Sequence, residues 1–153
     1  MNRLITLLAV ASLSVSAMAL DNTQAEKLNT FYSKLTQKNL ANSKLTVTAE
    51  AVMKMLREKK DFILLDVRTP GETSVVSLVT DNTVKIPLEN LFEEANLNKL
   101  PTDKPIVIVC HSGARELLAA SGLQQIGFKN IQIVKGGIAA MAVANSVKNA
   151  PVK

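Results

Sequence analysis

The residues best suited to covalent chemistry lie in one short segment, residues 110–115, which reads Cys-His-Ser-Gly-Ala-Arg. Cys110 is the only cysteine of the chain, and it follows four β-branched residues, 106–109, at the point where a helix pattern begins. A thiol at such a turn lies beside the first backbone N–H groups of the helix, and these favour negative charge. Because thiolate is the reactive form of cysteine, this position favours a nucleophilic thiol.

A single cysteine has three interpretations. It can be a small buried apolar residue, it can pair with a second chain, or it can be a reactive thiol. The place of Cys110 at the end of a strand pattern, before Gly113 and Arg115, favours the third interpretation.

The first nineteen residues have the pattern of a secretory signal. Residues 1–3 carry a positive charge, residues 4–15 are mostly apolar, and residues 17–19 fit a small-x-small cleavage site. The apolar run is shorter than the ~20 residues of a comfortable membrane span, and an uncleaved anchor is the alternative. We predict cleavage after residue 19, export to the periplasm or outside the cell, and no membrane attachment afterwards. An exported chain with one cysteine has no disulfide to form within itself.

The composition argues against several functions. The net charge of +5 is a mild excess that is spread along the chain as lysines, which does not predict a nucleic-acid surface. With one tyrosine and no tryptophan, a base-stacking platform is not expected. The residue pattern indicates neither a metal site nor a cofactor.

Apolar runs alternate with helical patterns along the mature chain, which predicts an α/β domain with a mostly parallel central sheet flanked by helices. We place this domain at residues 44–150, after an N-terminal helical extension at 20–43. Thr48 is a predicted N-cap, and Gly127 is a predicted C′ residue. The predicted strands are 45–47, 62–67, 84–86, 106–109 and 131–134; the predicted helices are 21–39, 49–59, 88–95, 114–126 and 138–147, with loops at 39–43 and 69–71.

Parallel sheets bind ligands beyond the carboxyl ends of their strands. Cys110 ends one predicted strand, and Asp66 and Arg68 end another. We therefore expect these three residues at the same edge of the sheet.

Four blocks of the sequence follow one another in a recognisable order: Asp66-Val67-Arg68 with Glu72, Ile86-Pro87, the 110–115 segment, and Gly136-Gly137. In this order and approximate spacing they resemble a single-domain rhodanese. The resemblance covers about residues 45–147 and implies the rhodanese-like α/β fold. It also implies a sulfurtransferase whose cysteine carries a sulfane sulfur as a persulfide between a donor and an acceptor.

The resemblance also implies roles for the site residues. Cys110 is the nucleophile, the donor is a small sulfur anion such as thiosulfate, and the acceptor is cyanide, a thiol or a protein thiol. Arg115 either contacts the anionic donor or ties the loop to its helix, and the two roles are compatible. The residues implied to bind substrate are Arg115, His111, Ser112, Gly113 and Ala114.

Three further residues match the family pattern and are expected to support the loop. Asp66 and Arg68 are predicted to form a structural hydrogen-bonded network under it, and Glu72 is predicted to belong with them. His111 is expected to line the loop, because an already ionised thiol needs no general base.

The chain departs from the family pattern around the pocket rim. Residues 73–85 contain no Gly-His pair, and residues 138–141 lack the tryptophan that is common after the two glycines. A non-catalytic rhodanese-like module, for persulfide carriage or partner binding, is therefore the alternative function. A cysteine phosphatase is less favoured because its loop is C-x5-R, one residue longer than the C-x4-R of Cys110 and Arg115. A disulfide oxidoreductase lacks its second cysteine.

Overall fold

The computed structural model describes residues 20–41 and 43–146. The predicted signal at residues 1–19 lies outside the described residues. The chain divides into two compact units with a boundary between Leu35 and Thr36. No helix of the described ranges is long and apolar enough to cross a membrane.

The first unit contains helix α1, Asn22–Tyr32, and Asp21 caps its start by accepting a hydrogen bond from the Gln24 N–H at 2.9 Å. The prediction of one continuous helix over 21–39 is wrong. A separate helix, α2, spans Gln37–Ala41 in the second unit, so the predicted loop at 39–43 is wrong in its first residues. The hydroxyl of Thr36 accepts a hydrogen bond from the Asn39 N–H at 3.3 Å and so begins a new helix.

The second unit contains a five-stranded sheet in the order β1-β5-β4-β2-β3, and all four pairings are parallel. This confirms the predicted α/β class and parallel sheet. In the register between β2 and β4, Asp66 lies beside Val109. The segments that follow these two strands therefore leave the sheet at the same level. The strands are β1 Thr46–Thr48, β2 Ile63–Asp66, β3 Thr83–Lys85, β4 Ile106–Val109 and β5 Ile131–Lys135.

Helices cover both faces of the sheet. On one face, Ile106 and Ile108 pack with Leu123, and on the other, Val107 and Val109 pack in a second core. This explains why β4 is apolar at every position, as is typical of a central parallel strand. The helices are α3 Ala49–Arg57, α4 Pro70–Val75, α5 Glu94–Leu97, α6 Ala114–Gln125 and α7 Gly137–Ala144.

Pro70 and Gly71 predict a break in the chain, but the structure has a helix there, α4. The local signal is a capping box: the Thr69 hydroxyl accepts from the Glu72 N–H, and the Glu72 carboxylate accepts from the Thr69 N–H. Proline is also well placed at the first helical position. The sequence Thr-Pro-Gly-Glu therefore begins a short helix.

The helices predicted over 49–59 and 114–126 end at Arg57 and Gln125, and two other helix predictions also have the wrong bounds. The predicted helix over 88–95 is a 3₁₀ turn, Leu88–Asn90, followed by α5, because side-chain bonds of Asn90 and Asn96 compete with a continuous helix. The predicted last helix over 138–147 begins one residue earlier and ends at Ala144, and residue 147 lies outside the described residues.

Candidate active site

Cys110 lies at the carboxyl end of β4, and only 1% of its surface is exposed. Its Sγ accepts a hydrogen bond from the Gly113 N–H at 3.1 Å. A backbone N–H aimed at sulfur stabilises the thiolate more than the thiol, since it donates to the charged form. The turn between β4 and α6 therefore holds the thiol beside a polar donor, as its position in the sequence predicts.

The start of α7 is joined to this turn. The Cys110 carbonyl accepts from the Ile138 N–H at 2.8 Å, and the His111 carbonyl accepts from the Ala139 N–H at 3.3 Å. Gly137 makes this approach possible: a Cβ there would lie 2.6 Å from the His111 carbonyl oxygen. Gly137 also has a φ of +59°, in the left-handed region that favours glycine.

The other predicted loop residues are more accessible than the cysteine. His111, Ser112 and Ala114 are exposed, whereas Gly113 is half-buried. Their predicted contacts with substrate stay predictions.

Asp66 and Arg68 form a buried ion pair at the adjacent strand end, with side chains 0% and 2% exposed. The Arg68 Nε donates to Asp66 Oδ1 at 2.9 Å, and a terminal guanidinium nitrogen donates to Oδ2 at 2.7 Å. The Arg68 backbone N–H also donates to Oδ1, at 3.1 Å. This bidentate geometry fixes the chain where β2 leaves the sheet beside β4.

The hydrogen bonds of Glu72 join it to Arg115, a different arginine from the one that pairs with Asp66. Both of its carboxylate oxygens accept hydrogen bonds from the Arg115 guanidinium, at 2.5 and 2.6 Å. The capping box of α4 explains this, since Thr69 holds one of these oxygens at 3.0 Å and so orients the carboxylate. Arg115 thus links α6 to α4, while its contact with a donor stays a prediction.

This pairing shifts both ionisations. Hydrogen bonds from the Arg115 side chain, followed by that from the Thr69 N–H, hold the pKa of Glu72 well below its usual range. The hydrogen bond to Glu72 raises the pKa of Arg115. Both groups are therefore charged throughout the neutral pH range.

A Glu72→Gln variant tests this link through the pH dependence of stability. A carboxyl whose pKa is lowered by folding stabilises the fold above its unfolded pKa, here 4.5, and the contribution falls away as pH drops below that value. We expect wild type to exceed Glu72→Gln in free energy of unfolding at neutral pH, and the difference to shrink on acidification. Urea unfolding across this range, with the exposed Glu94→Gln as control, measures it. A difference that is constant with pH would contradict the pairing.

Glu116 is the residue that sequence reasoning missed. It is 1% exposed, and its Oε2 accepts a hydrogen bond from the Cys110 backbone N–H at 2.9 Å. Burial raises the pKa of Glu116 to about 7, while hydrogen bonds from the backbone and side chain of Cys110 oppose the rise. The available signal was its place at the third residue of α6, from which a glutamate can reach back to the preceding turn.

An open pocket of about 360 Å³ lies beside His111. Its wall is mostly apolar, formed from the end of α4 and one side of α7, and its polar lining comes from Arg68, Glu72 and His111. The described residues contain no group of three or more His, Cys, Asp or Glu placed to hold a metal ion. The apolar lining residues are Val75, Val76, Ile138, Ala139 and Ala142.

Comparisons with known proteins match this architecture. A family model described as the rhodanese-like domain matches residues 48–144. A sulfurtransferase of Allochromatium vinosum is 29% identical over 96 residues, which are 63% of this chain and 86% of that protein. The thiosulfate sulfurtransferase GlpE of Pseudoalteromonas translucida is 30% identical over 97 residues, covering 61% of this chain and 85% of that protein.

Solved structures give the same result. A rhodanese-related protein from Thermoplasma volcanium superposes with a TM-score of 0.55 at 30% identity, covering 65% of this chain and 92% of that one. Some other matched relatives are longer, and the chain spans about a quarter of their length. The chain belongs to the family of rhodanese-like sulfurtransferase domains.

Proposed function

We propose that the protein is an exported sulfurtransferase that moves a sulfane sulfur from a donor such as thiosulfate to a thiol or cyanide, through a persulfide on Cys110. The observation that carries the proposal is the Gly113 N–H, which donates to Sγ at 3.1 Å at the end of β4. The similarity to a thiosulfate sulfurtransferase supports the choice of donor. Export rests on the sequence of residues 1–19, and recovery of the uncleaved chain in the membrane fraction would contradict it.

The reaction has two covalent steps. The Cys110 thiolate attacks the sulfane sulfur of thiosulfate, the S–S bond of the donor breaks, and sulfite leaves with the bonding electron pair. The product is a persulfide whose terminal sulfur carries the negative charge. Cyanide or a thiolate then attacks that terminal sulfur and releases Cys110 as thiolate, so charge balances in each step.

The second candidate is a persulfide carrier that does not turn over small anions. Two ion pairs and the burial of Cys110 favour it. Both arginines near the loop are neutralised by carboxylates, Arg115 by Glu72 and Arg68 by Asp66. Cys110 itself is 1% exposed. A carrier would receive sulfur from a protein partner and would release no thiocyanate when given thiosulfate and cyanide.

Mass spectrometry and a thiocyanate assay test the proposal. After incubation with thiosulfate, the intact protein is expected to gain the mass of one sulfur atom, and addition of cyanide is expected to remove it as thiocyanate. Cys110→Ser is expected to abolish both results. The matched control, Cys110→Ser/Ala95→Cys, carries a thiol at an exposed position of α5 and is expected to stay inactive.

The outcomes separate the candidates. A sulfur adduct on Cys110 without thiocyanate release would favour the carrier over the enzyme. Absence of an adduct with any sulfane donor, or thiocyanate formation that survives Cys110→Ser, would overturn the assigned chemistry.

A further inference from the structure

The open pocket beside the cysteine turn is built from the two stretches in which the chain departs from the family pattern. Residues 73–85 lack the Gly-His pair, and residues 138–141 lack the tryptophan. We propose that this pocket selects the sulfur acceptor, and that the acceptor is a compact thiol carrying an uncharged apolar group. The transfer step rests on the proposed function, whereas the fit of the pocket is measured without sulfur. The lining residues from the two stretches are Val75, Val76, Ile138 and Ala139.

The pocket borders the turn that holds the nucleophile. Its lining includes His111, the residue after Cys110. The N–H groups of Ile138 and Ala139 donate to the carbonyls of Cys110 and His111, at 2.8 and 3.3 Å, so the wall formed by α7 is attached to the cysteine turn itself. Because Cys110 is 1% exposed, a molecule that reaches its sulfur must approach along the surface next to this turn. A group bonded to the reacting sulfur of the acceptor can therefore occupy the pocket.

Small side chains on α7 leave room for such a group. Ala139 and Ala142 lie one helical turn apart on the side of α7 that lines the pocket, and Val75 and Val76 form the facing apolar wall. The volume of about 360 Å³ is many times the ~30 Å³ share of one water molecule. Cyanide, with two atoms, leaves most of this space empty, whereas a thiol with a ring or a branched chain fills it.

The charged groups of the pocket are already paired. Arg68 is bonded to Asp66, and Glu72 accepts two hydrogen bonds from Arg115. His111, the remaining polar residue of the lining, is exposed, so water and salt screen any charge on it. A charged acceptor would lose water against the apolar wall without gaining an unpaired partner from these two ion pairs. An uncharged apolar group gains free energy from the same burial.

The transfer step balances with such a thiol. The acceptor loses its proton to water, and its thiolate sulfur attacks the terminal sulfur of the Cys110 persulfide. One S–S bond forms, the S–S bond of the persulfide breaks, and its electron pair stays on Cys110 as thiolate. The product is an organic persulfide anion, so one negative charge leaves for the one that arrived. The apolar group changes no bond, and its part is to orient the attacking sulfur.

Two thiols of the same shape test the preference in wild type. Cys110 is loaded with sulfur from polysulfide, and phenylmethanethiol or its para-carboxylate is added as acceptor. Loss of the sulfur mass is followed in a single turnover, and each rate is divided by that of the same thiol with a small persulfide in solution. The uncharged thiol is expected to react about tenfold faster, the lower end for burial of a phenyl-sized group, because the pocket is open. Equal rates, or a faster carboxylate, would overturn the proposal.

Ala142→Asp places a charge in the pocket, and Val143→Asp is its matched control. Val143 is the next residue of α7, 77% exposed and outside the pocket lining. Ala142→Asp is expected to lose most of the tenfold preference, and Ala142→Lys to reverse it in favour of the carboxylate. Val143→Asp is expected to keep the wild-type ratio. If Ala142→Asp and Val143→Asp give the same ratio, the pocket does not select the acceptor.

Alkylation of the resting thiol separates this inference from the proposed function. N-Phenyl iodoacetamide and its para-carboxylate alkylate Cys110 without any sulfur donor or acceptor. Relative to free cysteine, the uncharged reagent is expected to be favoured about tenfold. Absence of this preference would overturn the pocket inference even if thiocyanate is formed. If the preference is present but thiosulfate fails to load sulfur, the proposed donor chemistry fails and the pocket inference is supported.

Discussion

A Gly137→Ala variant is expected to displace the cysteine turn and to lose about 100-fold or more of its sulfur-transfer rate, the cost of a misplacement on the order of 1 Å at a reacting centre. The added Cβ would lie 2.6 Å from the His111 carbonyl oxygen and 2.7 Å from that of Cys110. These are backbone atoms, so relief requires movement of the turn or of α7. Thiocyanate formation and the alkylation rate of Cys110 measure the effect.

Gly127→Ala is the matched control for backbone strain. Gly127 also has a positive φ, +108°, but a Cβ there meets nothing within 4 Å. It ends α6 away from the cysteine turn, so alanine is expected to lower stability while transfer is retained. If both variants keep the wild-type transfer rate, contact between α7 and the turn is not what positions Cys110.

Arg68→Met is expected to lower the free energy of unfolding by about 3–5 kcal/mol, because it leaves a buried carboxylate without its partner. Asp66 is 0% exposed and receives three hydrogen bonds, all from Arg68. Methionine fills much of the same volume without the charge. Urea unfolding at neutral pH measures the change.

The double variant Asp66→Asn/Arg68→Met separates charge from packing. Asparagine keeps an oxygen for the backbone N–H of residue 68 and removes the uncompensated charge. The double variant is therefore expected to be more stable than Arg68→Met alone. The single variant Asp66→Asn completes the comparison. If the double variant loses as much stability as Asp66→Asn and Arg68→Met lose separately, added together, the two residues act independently, contrary to the ion pair in the structure.

The pattern of apolar runs was sufficient to predict the fold class, because each run is long enough to indicate a strand or a helix by itself. Residues 106–109 are apolar at every position, which only a strand covered on both faces requires, and β4 has that environment. Helix boundaries were harder to predict where side chains form hydrogen bonds in place of the backbone bonds of a continuous helix. This happens at Thr36 and at Asn90 with Asn96.

The sequence by itself determined that a lone thiol ends a parallel strand before a helix, since strand period and turn residues are local properties. Only the tertiary structure decided what surrounds Cys110. Pairing of Arg115 with Glu72, and of Asp66 with Arg68, depends on which side chains meet when α4, α6 and β2 assemble. The burial of Glu116 also depends on how the elements pack, because an acidic residue in the first turn of a helix is ordinarily exposed to solvent. Desolvation is a property of the assembled fold, and it raises the pKa of Glu116.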